Sequence, residues 1–497
     1  MNYDPSPLGS YNPTPRRYLW LIPISSVIAL AVYIGASALV FRTGFPLDDA
    51  WIHQTYARNL ALRGEWAFLP GQPSAGSTSP FWTALLTPGY WLGLSPYFWT
   101  YLLGWIGLSG VGLASIRIFR ALHLNDFLIS LGAGLFLVCE WHLVWAAASG
   151  METITFTFII VLVFASLITV SRNWAIIGLL IGASVWLRPD GVTLIGPALV
   201  IALFVERSWR TRAFALLKFS AALLIIVGPY LLFNHALSGS WWPNTFFAKQ
   251  AEYAILRESP LTIRFIRQAS LILIGSGALL LPGFFISLIW ASQRKDVTRL
   301  ACMAWVIGFI LLYAIRLPVV YQHGRYIIPV IPMYLLLSLA GMVGWASSNE
   351  PLMWKRVISR VWMISTVLIQ LTFWGLGARA YGYDVAVIES EMVTAAHWVA
   401  ANTEPEALIA AHEIGALGFF GDRRLLDLAG LVSPEVIPFF RDERRLAAYF
   451  NANGVDYLMT FPGWYPDLVH GLTPVFDSDG QFSVLQGGEN MQIYLWR

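Results

Sequence analysis

Long apolar runs, separated by short polar segments, follow one another along the first three quarters of the chain. A membrane-spanning helix needs about 20 consecutive apolar residues, and eleven runs approach that length. They are residues 18–41, 97–119, 127–148, 154–170, 175–187, 192–205, 214–233, 271–290, 300–315, 326–345 and 357–376. The pattern predicts a polytopic α-helical membrane protein, in which the two short runs at 175–187 and 192–205 are tilted or partly buried.

A twelfth apolar segment, residues 80–94, is short and is interrupted by Pro88 and Gly89. Lys and Arg favour the cytoplasmic side of a membrane, so basic residues decide whether this segment crosses. If it stays outside as an interfacial or re-entrant segment, the cytoplasmic loops collect six basic clusters, whereas five of the six face outward if it crosses. The clusters are Arg16/Arg17, Arg117/Arg120, Arg172, Arg207/Arg210/Arg212/Lys218, Arg294/Lys295/Arg299 and Lys355/Arg356/Arg360. We therefore predict eleven spans in the cell membrane, with a cytoplasmic N-terminus and an extracytoplasmic C-terminal domain.

The composition supports this assignment and divides the chain into two parts. Hydrophobic residues make up 57% of the 497 residues and charged residues 12%, and the mean hydropathy is +0.60, which excludes an ordinary soluble enzyme. Residues 380–497 contain 16 acidic and 6 basic residues, against 13 acidic and 26 basic in residues 1–379. We predict a membrane module at 1–379 and a water-soluble domain at 380–497. Basic membrane loops explain the pI near 8.8, so no nucleic-acid partner is expected.

The C-terminal part has the pattern of a small α/β domain. Apolar strands are predicted at residues 407–411, 425–428 and 455–461, and helical periodicity covers 387–401 and 441–452. His412 and Glu413 are candidate metal ligands, but two neighbours without a third make a core or capping role the stronger interpretation. Gly415 and Gly418 lack the third glycine and the context of a dinucleotide-binding loop.

The residues suited to chemistry lie in the predicted outer loops, each beside a helix end. These loops are residues 42–79, 149–153, 188–191, 234–268 and 316–325. Ionisable residues at membrane depth are costly and usually mark function. Five such clusters on one face predict a single site at the outer membrane surface, and basic or acidic residues near it become its candidates.

Asp48 and Asp49 follow the first span and open an amphipathic helix. Asp49, His53 and Tyr56 share one face of that helix, at spacings of four and three. One interpretation is a helix cap followed by a surface acid. The other is a carboxylate that acts as general base toward a hydroxyl, because two adjacent acids beside a bilayer exceed what one cap requires.

The stretch PLDDAWIHQTYARNLALRGEWAFLPGQPSAGSTSPFW, residues 46–82, resembles the first outer loop of C-type (GT-C) glycosyltransferases. These polytopic enzymes take a sugar from a polyprenyl-phosphate donor. The closest similarity is to bacterial arabinofuranosyltransferase-like members, with protein O-mannosyltransferases and lipid A aminoarabinose transferases more distant. The pair in those relatives is usually Asp-Glu, with the first Asp as the catalytic base. The resemblance therefore implies that Asp48 is the base, although Asp49 in the second place leaves the choice between the two acids open.

Four later segments resemble further elements of the same family. They are Ser149-Gly150-Met151-Glu152-Thr153, Arg188-Pro189-Asp190-Gly191, Pro243-Asn244-Thr245-Phe246-Phe247-Ala248-Lys249 and His323-Gly324-Arg325-Tyr326. Each has a structural alternative: a helix cap for Glu152, a turn with an Arg188–Asp190 ion pair, a snorkelling Lys249 and a helix-end anchor for Arg325. Glu140 and His142 are a further candidate pair, for which a structural role is the stronger interpretation.

The resemblance assigns roles to these positions in three groups. The catalytic acids are Asp48 and Asp49. The donor-phosphate ligands are Lys249, Arg325, His323 and Arg188, since cations stabilise a departing phosphate. The sugar or acceptor ligands are Glu152, His53, Tyr56, Arg58, Asp190 and Asn244.

The expected activity is the transfer of a sugar from a polyprenyl-phosphate donor to a hydroxyl of a glycan, lipid or protein acceptor, by a single displacement with inversion. No cofactor or nucleotide is expected, and a divalent metal is left open without a supporting ligand set. A transporter or flippase of lipid-linked sugars is the main alternative. It is less favoured because the chain lacks a convincing internal repeat and its charges cluster at one surface. A non-catalytic scaffold is the second alternative, and it leaves the Asp48–Asp49 pair unexplained.

Overall fold

The computed structural model of the chain describes residues 16–122, 126–169, 172–347 and 352–496. Helices make up most of these residues. The helices of the membrane module before the last span are Leu21–Val40, Asp49–Arg63, Pro80–Trp91, Pro96–Leu122, Phe127–Val138, Trp141–Ala148, Thr153–Ile168, Trp174–Leu187, Ile195–Phe204, Trp209–Ser238, Asn244–Glu252, Leu261–Leu271, Ser276–Gln293, Val297–Arg316 and Ile331–Ser347. The last span and the C-terminal domain contain Met353–Ile388, Thr394–Asn402, Gly415–Phe420, Glu443–Asn453, Pro466–Val469 and Gln481–Leu485.

Seven helices within the described ranges are long and apolar enough to cross a membrane. They are Leu21–Val40, Pro96–Leu122, Trp209–Ser238, Ser276–Gln293, Val297–Arg316, Gln322–Ser347 and Met353–Asn402. Phe127–Val138 and Trp141–Ala148 form a pair bent by 54°, which together pass the same test. Three shorter apolar helices are Thr153–Ile168, Trp174–Leu187 and Pro189–Phe204. These eleven units follow the eleven predicted runs in order, except that the end of the run 154–170 lies outside the described residues.

Contacts between loops restrict which helices cross. Asp48, directly after the first span, receives hydrogen bonds from Gly415 and Ala416, which follow the last span. The two segments therefore lie on one side of the membrane, and an even number of crossings separates them. Ten crossings satisfy this condition if the bent pair and the three short helices all cross, and six satisfy it if only the long helices cross. The polytopic architecture predicted from the sequence is confirmed as a fold.

The segment predicted to stay outside forms the twelve-residue helix Pro80–Trp91, with Pro88 inside it. It packs against the helix Asp49–Arg63, and its twelve residues are fewer than the roughly 20 that a membrane span needs. The indole of Trp82 is buried and donates to the carbonyl oxygen of Gly150 at 3.0 Å. The helix is thus part of the platform that holds the first outer loop.

The buried centre of the module is the helical segment Gln322–Ser347. In its most apolar stretch of 18 residues, 94% of the residues are buried. In the corresponding 18-residue stretches of Trp209–Ser238 and Met353–Asn402, only 17% and 22% of the residues are buried. Their exposed side chains are apolar, including Leu224, Ile225 and Leu368. An apolar helix that the protein leaves uncovered must be covered by lipid, so these two helices form the periphery.

Small residues allow a close helix crossing in the module. A Cβ added to Gly341 would lie 1.9 Å from the carbonyl oxygen of Gly283, and one added to Gly283 would lie 2.2 Å from that of Ser338. The helices Ser276–Gln293 and Ile331–Ser347 therefore approach backbone to backbone. Close packing of this kind stabilises helix pairs in lipid, where no hydrophobic force drives them together.

The last span leads into the C-terminal domain without a break. Met353–Ile388 continues through a π-helical turn, Glu389–Val393, into Thr394–Asn402, and the predicted boundary at 379/380 lies within this helix. The predicted helix at 387–401 is thus the end of a longer one. A small sheet domain with its own apolar core follows, as predicted.

The domain contains a five-stranded mixed sheet, and a two-stranded hairpin lies in the first outer loop. The strands in chain order are β1 Ala67–Leu69, β2 Gln72–Pro73, β3 Leu408–Ala411, β4 Arg424–Asp427, β5 Tyr457–Thr460, β6 Pro474–Asp477 and β7 Gln492–Leu495. The large sheet has the order β4-β3-β5-β7-β6. β3 is parallel to β4 and β5, and β7 is antiparallel to β5 and β6. The three predicted strands are its parallel half, whose carboxyl ends face the first outer loop through the helix Gly415–Phe420.

The C-terminal domain packs directly on the first outer loop, and glycines make the approach close. A Cβ on Gly76 would lie 2.6 Å from Val432, and one on Gly418 would lie 2.2 Å from the ring of Phe68. Trp51 of the loop helix contacts the aromatic rings of Phe419 and Phe420 with centroid distances of 4.8 and 4.6 Å. The C-terminal domain therefore lines any site that the first outer loop forms.

Candidate active site

Asp48 lies at the start of the helix Asp49–Arg63 but does not cap it, since its side chain accepts no hydrogen bond from that helix. Its two carboxylate oxygens accept hydrogen bonds from the backbone N–H groups of Gly415 at 2.6 Å and Ala416 at 2.8 Å. These N–H groups belong to the first turn of the helix Gly415–Phe420, where backbone donors have no partner within the helix. The cap expected from the sequence is thus replaced by a contact with another domain.

Burial dominates the electrostatics of Asp48, of which only 5% is exposed. Removal from water disfavours the charged carboxylate and raises the pKa of Asp48 to about 6, although the two backbone N–H groups oppose the shift. The neighbouring charge of Asp49 adds to the increase. A carboxylate with a pKa near the working pH is well suited to general base catalysis.

Asp49 is held by two cations. Its Oδ2 accepts a hydrogen bond from Arg325 Nη2 at 2.6 Å and lies 3.4 Å from Lys249 Nζ. Burial alone would raise the pKa of Asp49, but the two cations outweigh it and hold that pKa well below its usual range. Asp49 is therefore ionised across the physiological range, and the two acids differ in their proton affinity because their partners differ.

Lys249 and Arg325 come from different elements and meet at one point. Lys249 lies on the helix Asn244–Glu252 and points inward, with only 20% of its side chain exposed, so it does not snorkel. Both cations donate to the hydroxyl oxygen of Tyr326, at 3.1 Å from Lys249 and 3.0 Å from Arg325. Burial would lower the pKa of Lys249, but Asp49 raises it above its usual value. Both side chains are thus cationic.

Only one of the three guanidinium nitrogens of Arg325, Nη2, has a hydrogen-bond partner among the described residues. Its Nε and Nη1 are buried and have no hydrogen-bond partner among the described residues. Only 5% of the residue is exposed. A buried donor without a partner costs about 1–3 kcal/mol, and more when it is charged. An anion that accepted from these two nitrogens would remove this cost.

Two cavities meet at these cations. The first, which we call the acid cavity, has a volume of about 1000 Å³ and is lined by Asp48, Asp49, Glu252, His412 and Glu413, among others. The second, which we call the apolar cavity, has a volume of about 370 Å³ and is lined by Met151, Val192, Trp242, Phe246 and Leu317, among others. Lys249 and Arg325 line both. The pair of cations therefore forms the boundary between a polar space under the C-terminal domain and an apolar space between helices.

A buried polar network borders the apolar cavity. Arg188 binds the Asp190 carboxylate at 3.1 Å and the Tyr313 hydroxyl at 2.7 Å, and it lies 3.7 Å from Glu152. The ion pair of Arg188 and Asp190 expected for a tight turn is therefore present. Tyr313 in turn donates to Asp190 at 2.6 Å. The network is largely satisfied, which fixes these side chains.

Glu152 is the exception in this network. It does not cap the helix Thr153–Ile168, and its Oε2 is buried without a hydrogen-bond partner among the described residues. His53 Nε2 lies 3.7 Å from that oxygen, and burial lowers the pKa of His53, which keeps the imidazole neutral. An acceptor oxygen thus faces the apolar cavity beside the cations.

Four predicted ligands lie apart from the cations. Tyr56 is fully buried and bonds to Ser74 at 2.6 Å, and Arg58 donates to the carbonyl oxygen of Phe419 at 2.7 Å. His323 pairs with Asp384 at 2.7 Å. Asn244 begins the helix that carries Lys249 and lines neither cavity. The structure brings together Asp48, Asp49, Lys249 and Arg325, with Glu152, Arg188, Asp190 and His53 beside them.

The sequence patterns assign no site role to Tyr326 and indicate Glu413 only as a candidate metal ligand. The hydroxyl of Tyr326 accepts hydrogen bonds from Lys249 and Arg325. The only signal for this residue in the sequence is its place in the His-Gly-Arg-Tyr element. Glu413 lines the acid cavity beside Asp48. Burial, Asp48 and Asp49 raise the pKa of Glu413 well above its usual value. Glu140 and His142 form the structural pair expected for them, at 2.8 Å.

Metal ligands are not assembled in the described parts of the chain, where no three His, Cys, Asp or Glu side chains come close enough to hold an ion. His412 bonds to the Tyr465 hydroxyl at 2.8 Å and lies 3.8 Å from Glu252. His412 therefore connects the C-terminal domain to the helix of Lys249.

Comparison with protein families matches residues 383–494 to a domain of unknown function (DUF8728). This region is the C-terminal domain and covers less than half of the chain. No curated protein matches the chain.

Comparison with solved structures gives matches over nearly the whole chain. ArnT from Cupriavidus metallidurans bound to undecaprenyl phosphate has a TM-score of 0.64 and 16% identity, over 96% of this chain and 98% of ArnT. The oligosaccharyltransferase AglB from Archaeoglobus fulgidus, in complex with an inhibitory peptide and a dolichol-phosphate, has a TM-score of 0.60 and 11% identity, over 91% of this chain and 70% of AglB. The arabinofuranosyltransferase AftD from Mycobacteria has a TM-score of 0.57 and 15% identity, over 98% of this chain and 40% of AftD. The chain therefore has the GT-C fold, in a multi-pass membrane protein.

Proposed function

We propose that this protein is a membrane glycosyltransferase that moves a sugar from a polyprenyl-phosphate donor to an acceptor hydroxyl. The observation that carries the proposal is the pair Lys249 and Arg325, which stands between the apolar cavity and the acid cavity. Two buried donors of Arg325 have no partner among the described residues. A ligand with an apolar chain, a phosphate and a polar head has the chemistry that this arrangement requires.

The donor lies with its first isoprene units in the apolar cavity, against Trp242, Phe246 and Leu317. Its phosphate then reaches Lys249 and Arg325, whose unpartnered Nε and Nη1 donate to phosphate oxygens. The sugar enters the space near Asp48 and Asp49. Glu152 lines the apolar cavity beside the cations, and its unpartnered oxygen is the candidate acceptor for a sugar hydroxyl that lies close to the phosphate.

The chemical step is a single displacement at the anomeric carbon. The acceptor oxygen forms a bond to this carbon as the bond from the carbon to the phosphate oxygen breaks, and the bonding electrons leave with the phosphate. The acceptor proton passes to the Asp48 carboxylate, whose pKa of about 6 leaves it ionised at neutral pH. Lys249 and Arg325 stabilise the charge that develops on the phosphate. The product sugar has inverted anomeric configuration, because there is one displacement.

Asp49 has a different role from Asp48 in this proposal. Its two cations hold it ionised, and it holds their charged groups in place beside the phosphate. Like charges repel, so Asp49 also limits how tightly the phosphate is bound before and after transfer. The choice of Asp48 as base therefore follows from the partners of the two acids as well as from the resemblance of the loop.

The solved neighbours support a lipid-phosphate donor, since one holds undecaprenyl phosphate and another a dolichol-phosphate. Transport of lipid-linked sugars is less favoured, because transporter sites lie near the membrane midplane between repeats, whereas the acids and cations here lie in loops on one side. With six basic clusters assigned to the other side, we further propose that the site is extracytoplasmic.

The test uses the purified full chain in lipid nanodiscs. Undecaprenyl-phosphate-linked pentoses and hexoses are supplied one at a time with glycan, glycolipid and peptide acceptors, and free undecaprenyl phosphate is measured. We expect one donor to be consumed with a sugar appearing on an acceptor, and Asp48→Asn to abolish this transfer. Binding of undecaprenyl phosphate is measured in parallel. A protein that neither binds undecaprenyl phosphate nor consumes any of these donors contradicts the proposal.

A further inference from the structure

The carboxylate of Asp48 is built into the surface of the C-terminal domain. Its two oxygens accept hydrogen bonds from the backbone N–H groups of Gly415 and Ala416. A Cβ on Gly415 would lie 2.0 Å from the carbonyl oxygen of Asp48 and 2.6 Å from its Oδ2. Only a glycine allows this approach, so the contact between the loop and the domain is specific to this position.

Glu413 comes from the same turn of the domain and lines the same cavity as Asp48. Its carboxyl group is within hydrogen-bonding reach of the Asp48 carboxylate. Two carboxylates at such a distance cannot both be ionised, because the like charges repel and one of the groups keeps a proton. A neutral Glu413 donates to the Asp48 carboxylate, and this third donor adds to the two backbone N–H groups.

We propose that Glu413 is a positioning residue for Asp48 and that the two side chains hold one proton between them at neutral pH. The C-terminal domain thereby forms part of the catalytic centre. The catalytic role of Asp48 rests on the proposed function, whereas the shared proton does not. Glu413 supplies the hydrogen bond that keeps a buried Asp48 ionised and aimed into the acid cavity. The domain is therefore required for the base to act.

Burial and charge support the assignment of the proton to Glu413. Burial, Asp48, Asp49 and Glu252 all raise the pKa of Glu413, whereas the N–H groups of Gly415 and Ala416 oppose the increase at Asp48. The charged groups around the pair come from four elements. They are Asp49 on the loop helix, Lys249 and Glu252 on the helix Asn244–Glu252, His412 on the domain and Arg325 beyond Asp49.

The test is the infrared signal of protonated carboxyl groups in the full-length protein in nanodiscs, titrated with pH. We expect a protonated carboxyl band at pH 7 that is absent in Glu413→Gln, in which an amide N–H replaces the acid proton. The exposed Glu404→Gln is the matched control and keeps the band. In Asp48→Asn the neighbouring charge is gone, so Glu413 should lose its proton at a pH lower by about one unit or more.

Two outcomes overturn the inference: a band at pH 7 that persists in Glu413→Gln, or a titration of the band that Asp48→Asn leaves unchanged. Binding of undecaprenyl phosphate to Glu413→Gln tests whether the variant is folded, since Lys249 and Arg325 are intact in it. If that variant fails to fold, the titration of Asp48→Asn decides alone. A protein that consumes no donor but shows the expected bands contradicts the proposed function and leaves the shared proton standing.

Discussion

Arg325 Nη2 donates to Asp49 Oδ2 at 2.6 Å, across 276 positions of the chain. The other two nitrogens of the guanidinium, Nε and Nη1, are buried without a partner among the described residues. One nitrogen of the cation is thus held by the protein, and the other two are left for a ligand. A guanidinium is rigid and planar, so fixing Nη2 also orients Nε and Nη1.

Loss of the hydrogen bonds from either Lys249 or Arg325 should weaken the binding of undecaprenyl phosphate. Charge-assisted hydrogen bonds are worth roughly 1.5–3 kcal/mol, and each 1.4 kcal/mol corresponds to a factor of ten in affinity. We expect Lys249→Gln and Arg325→Lys each to raise the Kd about tenfold to a hundredfold. Arg325→Lys is the sharper variant, because it keeps the charge and loses the fork.

Arg267→Lys is the control for Arg325→Lys, because Arg267 is exposed on the helix Leu261–Leu271. Its Kd for undecaprenyl phosphate in the same nanodiscs should equal that of the unchanged protein. If Arg325→Lys bound the lipid as tightly as Arg267→Lys, the unpartnered Nε and Nη1 of Arg325 would not be the phosphate site.

The two acids should respond differently to loss of charge. Asp48→Asn removes the proton acceptor at constant size and should lower transfer on the order of 10²-fold or more, if general base catalysis is the main effect. Asp49→Asn should lower transfer less. It should bind undecaprenyl phosphate at least as tightly as the unchanged protein, since it removes a negative charge beside the phosphate. Normal transfer by Asp48→Asn together with inactive Asp49→Asn would reverse the assignment of the base.

The pH dependence of transfer follows from Asp48. A base must be ionised, and its pKa is about 6, so the rate should fall as the pH decreases through 6 and level off above it. Asp49 raises this pKa through its charge. In Asp49→Asn the acid limb of the rate profile should therefore move to lower pH. The profile is measured as kcat/KM for the donor; an acid limb that stays in place in Asp49→Asn would show that Asp48 does not set it.

The acids and cations could be found from the sequence because the chain offers so few of them. In a chain with 12% charged residues, a charge at the end of an apolar run is conspicuous, and the alternation of basic clusters sorts the loops into two faces. Asp49, Lys249 and Arg325 are candidates on that ground, the resemblance of their segments assigns their roles, and the three residues meet in the structure.

The role of the C-terminal domain could not be predicted. The contact from Gly415 to Asp48 joins residues 367 positions apart, and no local sequence pattern predicts it. The sequence indicates His412 and Glu413 only as candidate metal ligands, with a core or capping role as the stronger interpretation. Glu413 instead faces the cavity, because the turn before the helix Gly415–Phe420 is pressed against the loop.

Side-chain direction within a motif was also beyond the sequence. His323 and Arg325 stand two positions apart in one element, yet His323 pairs with Asp384 while Arg325 reaches Asp49. The backbone of His323 has a φ of 54°, a left-handed conformation in the middle of a 3₁₀ turn. Such a residue sends its side chain away from the direction that regular spacing predicts.

The orientation of the protein can be tested by labelling. Gln72 in the first outer loop and Glu406 in the C-terminal domain are exposed, and both should lie outside the cell. We expect an impermeant maleimide to label Gln72→Cys and Glu406→Cys in intact cells, and Arg294→Cys only after permeabilisation. The natural Cys302 is buried and Cys139 is partly buried, so the background is low. Protection of Glu406→Cys in intact cells would contradict the predicted topology.

Gly415→Ala should separate the C-terminal domain from the acids. The added Cβ would lie 2.0 Å from a backbone oxygen of Asp48, which cannot rotate away, and overpacking of this kind costs about 1–3 kcal/mol. We expect faster trypsin cleavage of the domain, a lower Tm and reduced transfer, with binding of undecaprenyl phosphate retained because Lys249 and Arg325 lie elsewhere. Gly375→Ala is the control, since nothing lies within 4 Å of its Cβ and alanine favours the helix around it. Equal Tm and cleavage rates in the two variants would mean that the domain does not need this close contact, and Asp48 would then not depend on it.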